Sequence, residues 1–250
     1  MQSLLTASWR EALSLARCAI AYPQGLLDVT LRSGSPSGDV VRDTPVVLVH
    51  GFAHNSSAWF MLSAALRRAG FTSIHTFNYN PFRHGVATVA ERLAQRVALV
   101  QAVTGAERVH AVGHSMGGVV LRWYVQELGG DETIASAVTL ASPHKGTIAA
   151  FVGAFRGAAD LRPNSAVIRQ LDAGARHTPV RWVAYYGDHD ALVQPISSGR
   201  LDDELLGARN VLVPGIGHMD MLMARTVVAE IVEELAAAPD KTMSAALTPA

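Results

Sequence analysis

Six short apolar runs, rich in valine, alternate with longer helical patterns along most of the chain. Consecutive apolar positions indicate strands covered on both faces, as in a parallel sheet. Strand–helix–strand repetition gives right-handed crossovers with helices on both faces, so the predicted fold class is α/β with an open, doubly wound sheet. Ligands bind to such sheets outside the carboxyl ends of the strands. The predicted strands are 45–51, 72–77, 107–113, 134–142, 180–187 and 209–215, and the predicted helices are 56–70, 86–104, 116–129, 164–174 and 220–237.

The size and charge of the chain narrow the function classes. Its 250 residues are 49% hydrophobic, which is enough for one large domain with a full core. Basic and acidic residues number 21 each, so no net charge favours nucleic acid, and a neutral or apolar partner is expected. The single cysteine, Cys18, cannot form an intramolecular disulfide and has no companions for metal binding, which mildly favours a reducing compartment.

The two ends of the chain are expected to lie outside the main domain, which is predicted at 45–238. Residues 1–44 are predicted to be an amphipathic helix followed by a polar, glycine-rich linker, and 239–250 a flexible tail. The helix is expected to pack against the domain, with contact to a membrane or lipid interface as the alternative. No signal peptide or transmembrane segment is predicted, and the localisation stays open between cytoplasmic and secreted with the signal peptide absent from this sequence.

A serine lies at the centre of a G-x-S-x-G pattern between a predicted strand and a predicted helix. The pattern covers Gly113–Gly117, with Ser115 in the middle. A sharp strand-to-helix turn presents the serine Oγ at the carboxyl edge of the sheet, and the helix start supplies backbone N–H groups. The flanking glycines are needed because side chains there would collide with neighbouring elements. The pattern predicts a nucleophile, and an incidental serine in a tight glycine turn is the alternative.

A serine nucleophile needs a general base and an acidic residue that orients this base. A histidine and two aspartates follow later predicted strands. His218 follows the sixth run, and Asp188 and Asp190 follow the fifth, in the order serine, acid, histidine. Asp190 is favoured as the acid because the apolar residues after it can anchor its loop, whereas Asp188 suits the capping of a turn. Metal binding by 188–190 is disfavoured, since adjacent residues on an extended segment point to opposite sides.

The loop after the first run is predicted to complete the site. Acyl transfer passes through an oxyanion, and the backbone N–H groups of Phe52 and Met116 are its expected donors. His50 is expected to brace this loop. The apolar segment 144–170 is predicted to form a small lid or a packed excursion over the site. The candidate substrate-pocket residues are His50, His114, His144, Ile148, Phe151 and Phe155.

Five motifs of this chain resemble, in order, those of α/β-hydrolase lipases and esterases, in particular compact bacterial triacylglycerol lipases. The motifs are VVLVHGF, VGHSMGG, ASPHKGT, GDHDALV and PGIGHMDML, and the resemblance covers roughly 45–237. It implies the minimal form of that fold, with about six parallel strands. It also implies a triad of Ser115, Asp190 and His218, with Phe52 and Met116 at the oxyanion positions. No cofactor is required, and the structural calcium or zinc ligands of some relatives have no counterpart that can be placed here, so no metal is expected.

These residues predict a hydrolase that cleaves carboxylic esters of apolar acyl chains through an acyl-enzyme, as a lipase or carboxylesterase does. The partner is then a small-molecule or lipid ester. A thioesterase, an acyltransferase or a polyester depolymerase could use the same triad. An alternative from another class is a binding module that keeps the hydrolase fold without catalysis.

Overall fold

The computed structural model describes residues 13–14, 41–153 and 155–237, and it contains one six-stranded sheet. The predicted N-terminal helix, apart from Leu13 and Ser14, and the predicted tail lie outside the described residues. All six predicted strands are confirmed, each within three residues of its predicted ends. The strands are β1 Val46–Val49, β2 Ile74–Phe77, β3 Val109–His114, β4 Ile134–Leu140, β5 Arg181–Gly187 and β6 Arg209–Val213.

The sheet is parallel throughout, in the order β2-β1-β3-β4-β5-β6. The chain therefore enters beside the centre of the sheet, runs outward to β2, and then crosses back to β3. The carboxyl ends of the central strands are level, since Val49 is opposite Gly113 and Gly113 is opposite Thr139. The direction of winding reverses between β1 and β3, which is where parallel sheets of this kind open a ligand crevice.

Helices cover both faces of the sheet, as predicted. One face is packed by α1 (Phe60–Arg68) and α7 (Arg225–Ala236), and the other by α2 (Val86–Thr104), α3 (Met116–Glu127) and α6 (Ala166–Ala173). This explains why both faces of the strands are apolar. Among the helices of the described ranges, none has the length and apolarity needed to cross a bilayer. The helices are α1 Phe60–Arg68, α2 Val86–Thr104, α3 Met116–Glu127, α4 Gly130–Thr133, α5 Arg156–Asp160, α6 Ala166–Ala173 and α7 Arg225–Ala236.

Two predicted helices begin later than the sequence pattern indicates. A 3-10 turn, Ser56–Trp59, precedes α1, and the Asn55 side chain caps it by accepting the Ser57 N–H at 3.0 Å. A 3-10 turn at Asp220–Leu222 precedes α7. Ala224, between the turn and the helix, is extended with φ −68° and ψ 116°. The chain therefore makes one tight turn after the sixth strand before the helix starts.

The β1 strand shows how the core is divided. Val47 and Val49 contribute to the cluster under α2 and α3, while Val46 and Leu48 contribute to the cluster under α1 and α7. All four side chains are fully buried. Successive residues of a strand point to opposite faces, so two covered faces require apolar residues at every position. Each such side chain contributes about 1.5–3 kcal/mol by its burial.

The apolar segment 144–170 is attached to the domain on both sides of its exposed part. The Thr147 hydroxyl donates to Leu192 O at 2.7 Å, and the Gly157 N–H donates to Pro81 O at 3.2 Å. The Asp160 carboxylate accepts the Val86 N–H at 2.7 Å, at the first turn of α2. A 3-10 turn, Ile148–Phe151, lies between these attachments.

Candidate active site

The turn from β3 to α3 holds Ser115 in a strained backbone conformation. Its φ is 53° and its ψ is −123°, although it is not glycine. Such a conformation costs on the order of 1–3 kcal/mol and persists only where the surroundings enforce it. Here the Ser115 N–H donates to Leu140 O of β4 at 2.9 Å, and α3 begins at the next residue, Met116. The result is a serine at the carboxyl edge of the sheet, between two central strands.

The sharpness of this turn depends on Gly117. A Cβ at this position would lie 2.2 Å from Val49 O and 2.6 Å from His50 O, which no real side chain tolerates. The first turn of α3 therefore lies directly against the end of β1. This contact agrees with the steric reason for the glycines that the motif predicts.

Asp190 and His218 form a buried pair on the loops after β5 and β6. Asp190 Oδ2 is 2.8 Å from His218 Nδ1, and Oδ1 accepts the N–H groups of Leu192 and Val193, both at 2.8 Å. An ionised carboxylate only accepts hydrogen bonds, so Nδ1 carries the ring hydrogen. The other ring nitrogen, Nε2, is then left with a lone pair that can take a proton.

Asp188 makes its contacts at the surface, with groups other than the His218 ring. Its Oδ1 accepts the Gly215 N–H at 2.6 Å and is 2.8 Å from His189 Nδ1, at the surface. These contacts fit the turn-capping position predicted for it, and the structure brings Asp190, not Asp188, to His218. Within the described residues, no group of three or more histidine, cysteine or acidic side chains could hold a metal ion.

The ring of His218 lies beside the serine turn. It packs against the ring of His114, the residue before Ser115, with 4.7 Å between the ring centroids. His114 Nε2 is 3.1 Å from the backbone oxygen of His218. Among the described residues, no hydrogen bond of normal length joins the Ser115 hydroxyl to the His218 ring. Three loops that are distant in the sequence thus meet at one edge of the sheet.

Two backbone amides near Ser115 have no protein acceptor among the described residues. The loop after β1 passes close to the nucleophile position, because a Cβ on Gly51 would lie 2.9 Å from Ser115 Cβ. Phe52 follows Gly51, and Met116 is the first residue of α3. In the part of the chain that the structure describes, neither amide donates a hydrogen bond to a protein group. Unpaired N–H groups at a helix start favour an anion.

His50 is held mainly by contacts with Tyr79. The two rings stack at 4.2 Å with an interplanar angle of 8°, and the Tyr79 hydroxyl donates to His50 O at 2.7 Å. His50 Nε2 accepts the Tyr79 N–H at 3.2 Å, and Nδ1 is 2.8 Å from Gly51 O. Burial lowers the pKa of His50 to about 4, so the ring is neutral near pH 7. Sequence reasoning missed Tyr79, although its position just after β2 places it beside the β1 loop.

His144 is enclosed beneath the segment that it begins. Its Nε2 is 3.0 Å from Thr139 Oγ1 of β4, and its carbonyl accepts a hydrogen bond from Arg122 at 3.0 Å. Burial, with the positive charge of Arg122 next, lowers the pKa of His144 well below its ordinary value. Sequence reasoning missed Arg122, whose signal is a lone cation in the apolar α3 pattern. The contacts of His144 support the 143–147 loop.

Of the other predicted pocket residues, Phe155 lies beside Phe52 of the loop after β1. Phe155 contacts Phe82 edge-on at 4.9 Å, and Phe52 is 5.0 Å from Phe82 and 6.2 Å from Phe155 between ring centroids. Ile148 and Phe151 are 60% and 61% exposed. Phe82 completes this aromatic cluster and was missed, because its position in the β2–α2 loop carries no pattern of its own.

The parallel sheet, the strained serine and the acid–histidine pair on the last two loops define an α/β-hydrolase. Residues 45–193, more than half of the chain, match the family model described as palmitoyl protein thioesterase, and the chain belongs to this family. This membership, together with the relatives below, bears out the resemblance to lipases and esterases that the motifs indicate.

Curated relatives include a triacylglycerol lipase of Pseudarthrobacter phenanthrenivorans, 33% identical over 111 residues, covering 41% of this chain and 34% of that protein. A triacylglycerol lipase of Burkholderia plantarii is also 33% identical over 111 residues, covering 41% of this chain and 30% of that protein. The aligned part thus spans about a third of the curated relatives' length.

Solved structures share the fold at low sequence identity. Aspergillus fumigatus lipase B superposes with a TM-score of 0.67 at 17% identity, covering 81% of this chain and 56% of that one. A Bacillus licheniformis lipase in mature form gives 0.65 at 16% identity, covering 81% and 99%. These likenesses confirm the predicted fold class.

The buried, neutral state of His50 predicts a specific acid sensitivity. Its folded pKa near 4 lies below the ordinary 6.5, so between these values the unfolded chain binds a proton that the folded chain does not. Stability linked to this histidine is therefore complete above pH 6.5 and is lost as the pH falls toward 4. We expect it to account for about 2 kcal/mol of the fall in unfolding free energy between pH 7 and 5.

Urea unfolding at both pH values checks this expectation. His50→Gln should be less stable than the wild type at pH 7 but should lose about 2 kcal/mol less on going to pH 5. His177→Gln, which removes an exposed histidine, is the matched control. An equal loss in the His50 variant and the wild type would contradict a neutral, buried His50.

Proposed function

We propose that this protein hydrolyses carboxylic esters of apolar acyl chains through a serine acyl-enzyme. The observation that carries the proposal is the buried pair of Asp190 Oδ2 and His218 Nδ1 at 2.8 Å, on a loop that packs beside the strained Ser115. The curated relatives named triacylglycerol lipases support ester substrates.

The proposed reaction has two steps. The Ser115 hydroxyl turns toward His218 Nε2, loses its proton to that nitrogen, and its oxygen attacks the ester carbonyl carbon. As the tetrahedral intermediate collapses, the carbon–oxygen bond to the alcohol breaks and Nε2 returns the proton to the leaving oxygen. Water then gives its proton to Nε2 and attacks the acyl-serine, which releases the acid and restores Ser115. Asp190 stabilises the imidazolium in both steps.

The N–H groups of Phe52 and Met116 are proposed to hold the oxyanion. Both are free of protein acceptors among the described residues, and α3 adds the positive end of its dipole at Met116. One donor of this kind lowers a barrier by about 2.7–4 kcal/mol. The main chain supplies these donors, so the side chain of Phe52 is available to contact substrate.

The aromatic cluster of Phe52, Phe82 and Phe155 is proposed to contact the acyl chain. The three rings contact one another, with centroids 4.9 to 6.2 Å apart, and Phe52 belongs to the loop after β1. Apolar walls with few polar groups are typical of sites that bind acyl chains. Substrate recognition is therefore assigned to apolar contact.

A thioester is the second candidate substrate, because the family model that the chain matches is described as palmitoyl protein thioesterase. The same attack on a thioester carbonyl releases a thiol, which needs less help from His218 as an acid because a thiol is a stronger acid than an alcohol. Octanoyl esters and octanoyl thioesters of small neutral leaving groups, compared by kcat/KM, separate the two candidates.

Ser115→Ala tests the enzyme hypothesis. We expect hydrolysis of p-nitrophenyl octanoate and of the matched thioester to fall by at least about 1,000-fold, because the covalent step is removed. Thermal unfolding of the variant controls for a folding defect. Unchanged hydrolysis by a folded variant would remove Ser115 from the reaction, and an inactive wild type would favour a binding module.

Substitution of each aspartate tests the acid. Asp190→Asn should lower kcat by about 1,000-fold or more, since the amide cannot stabilise the imidazolium and favours the wrong ring tautomer. Asp188→Asn, the matched control, changes a surface carboxylate that caps a turn and should stay within about threefold of wild type. The assignment is wrong if the two variants exchange these results.

The protein is further proposed to contact lipid–water interfaces through Ile148, Phe151 and Val152, in the exposed part of the 144–170 segment. Val152 is 94% exposed and Ile148 and Phe151 are more than half exposed, so three apolar side chains stand together in solvent. The Arg162 guanidinium lies 5.2 Å from the Phe151 ring centroid and donates to Gly153 O at 3.0 Å, which fixes the segment's shape. Contiguous exposed apolar surface marks an interaction site.

Vesicle flotation with phosphatidylcholine vesicles checks the interface contact. Val152→Asp should weaken binding by about tenfold, because a charge replaces apolar area that enters the lipid. Val103→Asp is the matched control, since Val103 is 74% exposed near the end of α2, at the opposite edge of the sheet. Equal binding by both variants would exclude this segment as the contact.

A further inference from the structure

The side chain of His114 connects three parts of the active site, and no step of the mechanism uses it. His114 ends β3, directly before Ser115, and is buried. Its Nε2 is 3.1 Å from His218 O, and the two rings pack at 4.7 Å. On the other edge of the ring, a Cβ on Gly51 would lie 2.9 Å from His114 Nδ1, so the loop after β1 passes beside the ring.

The hydrogen bond determines which nitrogen of His114 is protonated. A carbonyl oxygen only accepts, so Nε2 must be the donor. Nδ1 is buried without a hydrogen-bond partner in the described part of the chain, and a proton there would be an unpaired buried donor. Burial, with the neighbouring His218 next, lowers the pKa of His114 well below its ordinary value, which agrees with a neutral ring. A neutral ring does not compete with His218 for the Asp190 carboxylate.

Backbone hydrogen bonds also hold the residues on either side of His218. Its neighbours are joined by longer backbone hydrogen bonds, from His189 N to Ile216 O at 3.3 Å and from Met221 N to Gly217 O at 3.2 Å. Both bonds stay within the loops after β5 and β6. The bond from His114 runs instead to the strand that ends at the nucleophile.

We propose that His114 is a positioning residue, whose Nε2–H bond to the His218 carbonyl sets the distance between the general base and the nucleophile. This inference rests on the proposed roles of Ser115 and His218. Asp190 fixes the His218 ring, and His114 fixes the main chain of the same residue, so the base is held at two points. Misplacement of a catalytic group by about 1 Å can lower a rate by about 100-fold.

Three substitutions of His114 separate the hydrogen bond from the volume of the ring. The terminal amide nitrogen of glutamine reaches about as far from the main chain as Nε2, whereas that of asparagine reaches only as far as Nδ1. His114→Gln therefore keeps a donor for His218 O, and His114→Asn does not. His114→Phe keeps a ring against His218 but has no donor.

Steady-state kinetics with dissolved p-nitrophenyl butyrate give the test. The Asn and Phe variants should lose about tenfold in kcat with KM within about twofold, and the Gln variant should stay within about threefold of wild type. Thermal unfolding of each variant shows whether the rate follows stability instead.

The proposal is overturned if the Gln and Asn variants have the same kcat, or if the loss lies in KM alone. The Gln and Asn pair decides the matter even where the Phe variant fails to fold. Failure of the proposed function gives a different result, because Ser115→Ala would then keep its activity whatever the His114 series shows.

Discussion

The contact between the first turn of α3 and the end of β1 is the constraint on which the active-site geometry depends. Gly117 permits it, because a side chain there would meet Val49 O at 2.2 Å. The contact brings a helix N-terminus to the loop that carries Phe52, and it forces the chain through Ser115 with φ 53°. One close approach of two backbones therefore brings Ser115, the proposed nucleophile, close to the loop that carries Phe52. The buried strands of the parallel sheet hold the chain in this strained conformation.

The four histidines near the site differ in their hydrogen-bond partners, and this difference favours His218 as the proposed general base. His50 and His114 bond to backbone groups and are neutral because burial lowers their pKa. His144 faces the Thr139 hydroxyl and is neutral for the same reason. His218 alone among these four bonds to a carboxylate, that of Asp190. A cluster of similar rings thus contains one whose hydrogen-bond partner suits the general-base role that we propose for it.

The sequence patterns predict the strands, the serine turn and the histidine loop because each has a local signal, apolar runs or glycine spacing. The sequence only favours Asp190 over Asp188, because both follow the same strand. The fold shows which of the two carboxylates contacts His218. Tyr79 and Phe82 were not predicted, because they become part of the site only through the pairing of β1 with β2. Contacts between loops that are distant in sequence leave no periodic pattern.

The buried Arg122 links the nucleophile's helix to the segment over the site. From α3 it donates to the carbonyls of His144 and Leu171, both at 3.0 Å, and its charge meets Asp172 at 3.3 Å. Loss of these donors would leave buried carbonyls unpaired, so the base of the segment is bound to α3. The exposed apolar residues Ile148, Phe151, Val152 and Phe155 lie beyond this clamp. Variation there can alter the proposed acyl-binding surface without disturbing the turn that carries Ser115, whereas variation inside α3 changes both.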